Sequence, residues 1–284
     1  MATYKQYYGI INGLLSYDYN IVTFDYYGCG DSDKPYHHDA YNTTNHHEDI
    51  LAIYNKYHTT TNILIGHSYG TTQIARLLSK IDNTTNATSN TTSNTTNATT
   101  TTSSNTTSNI KVILLGTAYQ LPNGGHPIFK LPVCILSLLS SYLSSQFVKV
   151  AFSSNTSDDI KNISKSISGK NNMTVVKYFY TQFEWATSSD WEALKDIDVL
   201  ILQGKDDLIT TEDNSSELFH FLNSISSSSS SDSGNSDGSG SGSGDCTSNS
   251  RIVYTVIDDC GHMLLLEKAE AVTSAIIDFL HKKR

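Results

Sequence analysis

Ile63-Leu64-Ile65-Gly66-His67-Ser68-Tyr69-Gly70 is the stretch whose reading decides the fold. An apolar, β-branched run enters a Gly-x-Ser-x-Gly string, and a helix-like segment over 71–81 leaves it. Strand, tight turn and helix in that order make a nucleophile elbow, with the serine at the tip of a strained turn. The flanking glycines are expected to let strand and helix approach, a Cβ at Gly66 or at Gly70 colliding with its neighbour. A helix N-terminus under Ser68 favours developing negative charge, and the backbone N–H of Tyr69 becomes an oxyanion donor. The plainer alternative is a Gly-rich turn whose serine only caps the helix.

Outward from the elbow, strand-like and helix-like segments alternate. Residues 4–15 read as a helix and Asn20-Ile21-Val22-Thr23-Phe24-Asp25 as a buried strand running into a Gly-rich loop. A second helix is expected over 46–57, a strand over 110–115, a strand over 198–204, a helix over 211–222, a strand over 251–257 and a closing helix over 268–282. Such alternation predicts a mainly parallel sheet with helices on both faces. Reactive groups then lie beyond the carboxyl ends of the strands. Ser68, Asp207 and His262 each follow a predicted strand end, so one edge receives all three.

An unactivated serine hydroxyl needs a base, and the base needs an acid to fix its tautomer. His262, on a Gly-His turn after the last strand, is the best base among the chain's ten histidines. His37, His38, His46 and His47 fall in a polar loop and helix start and are expected to be solvated. His67 should point away from the serine, and His126 is a weak candidate lining residue. The acid is Asp207 or Asp206, with Asp258 and Asp259 too near His262 in sequence to be favoured.

Composition narrows the class. The chain has 284 residues, 38% of them hydrophobic and 17% charged, with a formal net charge of −9. Two tracts, 82–109 and 226–250, are almost pure Asn, Ser, Thr and Gly and read as flexible surface insertions that bury too little to order. The net charge argues against nucleic acid or an anionic membrane as an electrostatic partner. Cys29, Cys134, Cys246 and Cys260 form no Cys-x-x-Cys pair, which suggests a reducing compartment and no zinc site. No secretory signal and no run of about twenty apolar residues is read, so an intracellular, cytoplasmic chain without a transmembrane helix is expected.

Phe24-Asp25-Tyr26-Tyr27-Gly28-Cys29-Gly30-Asp31-Ser32, Gly66-His67-Ser68-Tyr69-Gly70, Gly204-Lys205-Asp206-Asp207 and Gly261-His262 together resemble the α/β-hydrolase superfamily. Residues 62–70, Leu131-Pro132-Val133-Cys134 and His262-Met263-Leu264-Leu265-Leu266-Glu267 resemble, more narrowly, the abhydrolase domain-containing protein 8 group. The resemblance implies a hydrolase core over 1–118 and 196–284 and a helical cap over 119–195. It implies nucleophile Ser68, acid Asp207 (three residues past Gly204) and base His262, with no cofactor and no metal. The activity implied is that of an intracellular serine esterase or lipase (EC 3.1.1 type) acting on a small ester or lipid. The apolar 131–152 stretch suggests peripheral membrane or lipid-droplet contact, with no defined protein partner. The aromatics of 175–185 read as cap core before substrate contact.

The pattern departs from the family in two places. The first strand and the Gly-rich loop that supplies a second oxyanion N–H are missing before the first helix, and losing one such donor typically costs about 10²–10³ in rate. The family's proline after the acid is replaced by Thr210 and Thr211, a change expected to matter little. Two other readings follow: a catalytically weak hydrolase-like binding protein, or a lysophospholipid acyltransferase, for which His262-x₄-Glu267 is an imperfect match. Glu267 is expected simply to open the last helix.

Overall fold

The computed structural model describes residues 3–91, 110–121, 126–168, 172–228 and 251–282. After a short 3-10 turn at Tyr4–Tyr7, the order is α1 (Tyr8–Leu15), α2 (Thr43–Tyr57), β1 (Asn62–His67), α3 (Tyr69–Thr91) and β2 (Ile110–Leu115). Then come α4 (Val133–Ala151), α5 (Asp158–Ser168), α6 (Met173–Thr181), α7 (Ser188–Glu192), β3 (Asp198–Gly204), α8 (Glu212–Ser228), β4 (Ile252–Ile257), α9 (Leu264–Glu267) and α10 (Ala269–His281). The four strands are all parallel, in the order β1-β2-β3-β4.

The central strands show why helices must cover both faces. Val112, Leu114, Val199 and Ile201 point to one side, where they pack with Ile74 and Leu78 of α3, Trp191 of α7 and Leu218 and Leu222 of α8. Ile113, Leu115, Leu200 and Leu202 point to the other, against Ile10 and Leu14 of α1 and Val272 and Ile276 of α10. Continuous apolar runs in β2 and β3 are thus the signature of a parallel sheet buried on both sides.

Residues 20–25 are not a strand. A strand exists through its ladder hydrogen bonds, and among the described residues β1 pairs only with β2. Ile21 and Thr23 line the same cavity, of about 2690 Å³, as Ile63 and Ile65 of β1, with no ladder joining them. The segment is held instead by Ile21, packed against the core, and by Asp25, which accepts from Tyr4 N at 2.8 Å and from Asp31 N at 2.9 Å.

Two helices overrun their expected ends. α3 continues to Thr91 and α8 to Ser228, both entering the polar tracts. Once a packed segment has nucleated a helix, each further residue adds a hydrogen bond without the nucleation cost, so even weak helix formers such as Asn, Ser and Thr can extend it by a few turns. The rest of both tracts, and Cys246, lie outside the described residues. α4 is one helix long and apolar enough, over 19 residues, to cross a membrane by length and composition. The sequence reading missed it because Ser140, Ser141, Ser144 and Ser145 break the apolar run.

Candidate active site

The elbow forms as its residue types require. Ser68 has φ +55°, a left-handed conformation unusual for a residue with a side chain. The turn is held by Ser68 N donating to Leu115 O at 2.9 Å and Thr71 N donating to Ser68 O at 2.9 Å. A Cβ on Gly66 would sit 2.7 Å from the backbone of Gly70, so that glycine is required. Gly70 differs from expectation: a Cβ there meets nothing within 4 Å, because its hydrogen side faces open space and not β1. Tyr69 is the first residue of α3, so its N–H has no intrahelical acceptor. Thr3, the first described residue, lines the same cavity as Ser68, and among the described residues no Gly-rich loop precedes α1 to offer the second donor.

At the end of β3 the two aspartates part company. Asp207, 3% exposed, accepts at Oδ2 from His262 Nδ1 at 2.8 Å. Asp206 turns away and accepts from Ser153 Oγ at 2.5 Å. Asp258 pairs with Lys205 at 2.9 Å, and Asp259 accepts from Asn155 Nδ2 at 2.7 Å. Only Asp207 of the four touches His262.

Asp207 sits in a shell of donors. Its Oδ1 accepts from Ile209 N at 2.7 Å and Thr210 N at 2.9 Å; its Oδ2 also accepts from Thr210 Oγ1 at 2.8 Å and Gln203 Nε2 at 3.2 Å. Burial alone would raise its pKa, but the hydrogen bond and charge of His262, then Ile209 N–H and the Thr210 hydroxyl, outweigh burial and hold the carboxyl below its ordinary value. Thr210 Oγ1 also lies 3.1 Å from His262 Nδ1. Thr210 therefore bridges acid and imidazole, more than the turn-shaping role expected of it. Gln203 had a faint signal in the sequence, a lone amide closing an otherwise apolar strand; His67 and Thr210 had none.

His262 is 4% exposed, and Gly116, with φ +55°, packs against it, an added Cβ there lying 3.3 Å from Nδ1. Behind it the His67 ring packs at 4.8 Å between ring centroids, tilted by 41°, and His67 Nε2 donates to His262 O at 2.7 Å. Burial first, and the His262 charge second, push the His67 pKa down to about 3, so the ring is neutral. With Nδ1 on Asp207, His262 has Nε2 left to serve the cavity. Ser68 and His262 both line that cavity. No hydrogen bond joins them among the described residues; such bonds are often long until substrate binds.

His46 is a correction. It is 2% exposed, packed among Tyr26, Tyr41 and Phe179, and burial lowers its pKa. Its helix begins at Thr43, earlier than read, which turns the ring inward. His126 lines the cavity at an exposed position, as its sequence reading allowed, its Nδ1 accepting from Ile128 N at 3.2 Å. Val175, Phe179 and Phe183 form a buried cluster with Tyr41 and Tyr69. Phe179, Phe183 and Trp185 also line the cavity. Glu267 closes the short α9 and does not open α10. It accepts from Ser153 N at 2.9 Å, from Gly261 N at 3.0 Å and from Thr156 Oγ1, tying the chain after α4 to the His262 loop. Among the described residues no three His, Cys, Asp or Glu side chains gather as a metal site needs.

Comparison with known proteins agrees with this geometry at the level of fold. No curated protein matches the chain. A bromoperoxidase from Bacillus anthracis has TM-score 0.65 at 17% identity, over 98% of this chain and 87% of that one. An esterase from Exiguobacterium antarcticum has TM-score 0.65 at 16% identity, over 98% and 88%. A hydrolase from Oleispira antarctica has TM-score 0.66 at 13% identity, over 99% and 88%. The sequence model of the alpha/beta hydrolase fold matches residues 2–269. With its parallel sheet, its Ser68 elbow and that match across most of its length, the chain belongs to the α/β-hydrolase fold family.

Proposed function

We propose that the chain is a serine hydrolase that cleaves a carboxylic ester of a lipid or other acyl substrate, with Ser68 as nucleophile, His262 as base and Asp207 as acid. The observation that carries the reading is the buried 2.8 Å contact of His262 Nδ1 with Asp207, on the cavity that also receives the strained Ser68. Ser68 Oγ attacks the ester carbonyl while its proton passes to His262 Nε2. The oxyanion forms against the N–H of Tyr69 and the positive end of α3. Collapse breaks the C–O bond, and the leaving alkoxide takes the proton from His262. Water then adds to the acyl-serine, giving its proton to His262; the acid departs and the proton returns to Ser68.

An acyl substrate suits the cavity's apolar walls, to which Leu143, Phe147, Val150 and Met263 contribute. The likeness of 62–70 and 262–267 to the abhydrolase domain-containing protein 8 group points the same way. Cys29, Cys134 and Cys260 are free thiols, which fits an intracellular setting. A second reading, a hydrolase-like binding protein, draws on the unmade Ser68–His262 bond. Acyl transfer has no such observation, since Glu267 is taken up by Ser153, Thr156 and Gly261.

Fluorophosphonate labelling of the chain beside Ser68→Ala tests the reading. Labelling that vanishes in the variant, with ester turnover falling on the order of 10⁶-fold, is the expected result. A folded chain that neither labels nor turns over esters supports the binding protein.

A further inference from the structure

The outer face of α4 has no partner in the fold. Leu138 is 84% exposed, Tyr142 59% and Ile135 41%. At 100° per residue, Ile135, Leu138 and Lys149 of α4 fall within an arc of about 60°; Tyr142 lies in the same arc and also lines the cavity. The opposite face carries Ser137, Ser140, Ser144 and Phe147, all lining the cavity that holds Ser68 and His262. One helix thus separates the cavity from an exposed apolar stripe.

Charge singles out an occupant. From His126, which caps the turn before α4, to Gln182, which ends α6, the sequence has six lysines and two aspartates, a local charge of +4 in a chain whose total is −9. Lys130 precedes α4 and Lys149 lies in its last turn, and no acid occurs within the helix. An apolar stripe ending at Lys149, with Lys130 in the turn before the helix, suits a lipid surface: the aliphatic part enters the acyl boundary while the ammonium groups reach the headgroups. The whole-chain charge hides this, because the negative residues lie on other segments.

We infer that α4 docks on a bilayer surface carrying anionic phospholipid, its axis in the membrane plane and its inner face over the substrate cavity. It lies on the bilayer and does not span it, since both ends are fastened to the same body. Ala151 is fully buried, with its carbonyl accepting from Met263 N at 3.1 Å, and the Leu131 carbonyl accepts from Lys177 Nζ at 2.9 Å. The inference concerns where the chain works and stands apart from whether Ser68 is active.

Co-sedimentation of the full chain with phosphatidylcholine vesicles, with and without phosphatidylserine, tests it. Binding is expected to vesicles with phosphatidylserine, to weaken with added salt, and to fall at least about tenfold in Leu138→Glu, a surface change that leaves thermal unfolding as in the parent. Lys149→Glu is expected to weaken it roughly fivefold or more. No binding to either vesicle, or binding that Leu138→Glu leaves intact, overturns the inference. So does self-association that Leu138→Glu abolishes in a chain that binds no vesicle. The measurement needs no turnover, so an inactive Ser68 would leave its outcome readable.

Discussion

His67 Nε2 donates to the backbone carbonyl of His262 at 2.7 Å, and the two rings pack, tilted by 41°, at 4.8 Å between centroids. The residue just before the elbow serine thus holds the candidate base from behind. Burial keeps the ring neutral by lowering its pKa to about 3, against the pull of this same hydrogen bond, which favours the protonated form.

That arrangement has a pH signature. The folded pKa is depressed relative to an ordinary histidine near 6.5, so below 6.5 the unfolded chain binds the extra proton and stability falls as pH falls. Between pH 6.5 and 5 this one group removes about 2 kcal/mol, and the loss levels off only near the folded pKa. Urea midpoints measured across that range should fall, and the fall should shrink in His67→Gln, which keeps an amide donor without titrating. An unchanged pH slope in that variant would assign the dependence to His46 and His47, whose pKa values burial also lowers.

The two elbow glycines should behave oppositely. Gly66→Ala drives a Cβ to 2.7 Å from the Gly70 backbone, so it should yield unfolded or inactive protein. Gly70→Ala meets open space in the first turn of α3 and should be neutral or stabilising by up to about 1 kcal/mol, from the higher helix propensity of alanine. Thermal melts of the pair decide it.

Asp207→Asn should lower kcat by about 10⁴, because the imidazole loses the partner that sets its tautomer. Asp206→Asn breaks only the Ser153 contact and should leave kcat within about tenfold of the parent. Equal losses in the two variants would contradict the assignment.

Thr210→Val removes a hydroxyl that donates to Asp207 and lies 3.1 Å from His262 Nδ1, while keeping the shape. A lost hydrogen bond to a charged group is worth about 1.5–3 kcal/mol, so kcat should fall roughly ten- to hundredfold with KM little changed, and Thr210→Ser should restore most of it. Steady-state kinetics on a soluble ester checks the split between kcat and KM.

Local patterns carried a large part of this protein. The apolar runs of β2 and β3 are legible because both their faces are buried, and Gly66-x-Ser68 is legible because the turn admits few residue types. Those features are set by neighbours in the chain. The strand read at 20–25 failed for the opposite reason: apolar composition does not make a strand without a partner edge, and only the folded chain shows that none is paired there. Residue types alone left Asp206 and Asp207 open and only the family resemblance favoured Asp207; the fold shows the reason, that the end of β3 turns the Asp207 carboxyl toward His262 and the Asp206 carboxyl toward Ser153. His67 and Thr210 reach His262 across long stretches of chain, while Gln203 joins through the fold-back of its own loop onto Asp207 and Thr210. The apolar character of α4 and the basic balance of the segment around it were written in their residues, but which face of the helix turns outward was decided by the packing of its other face.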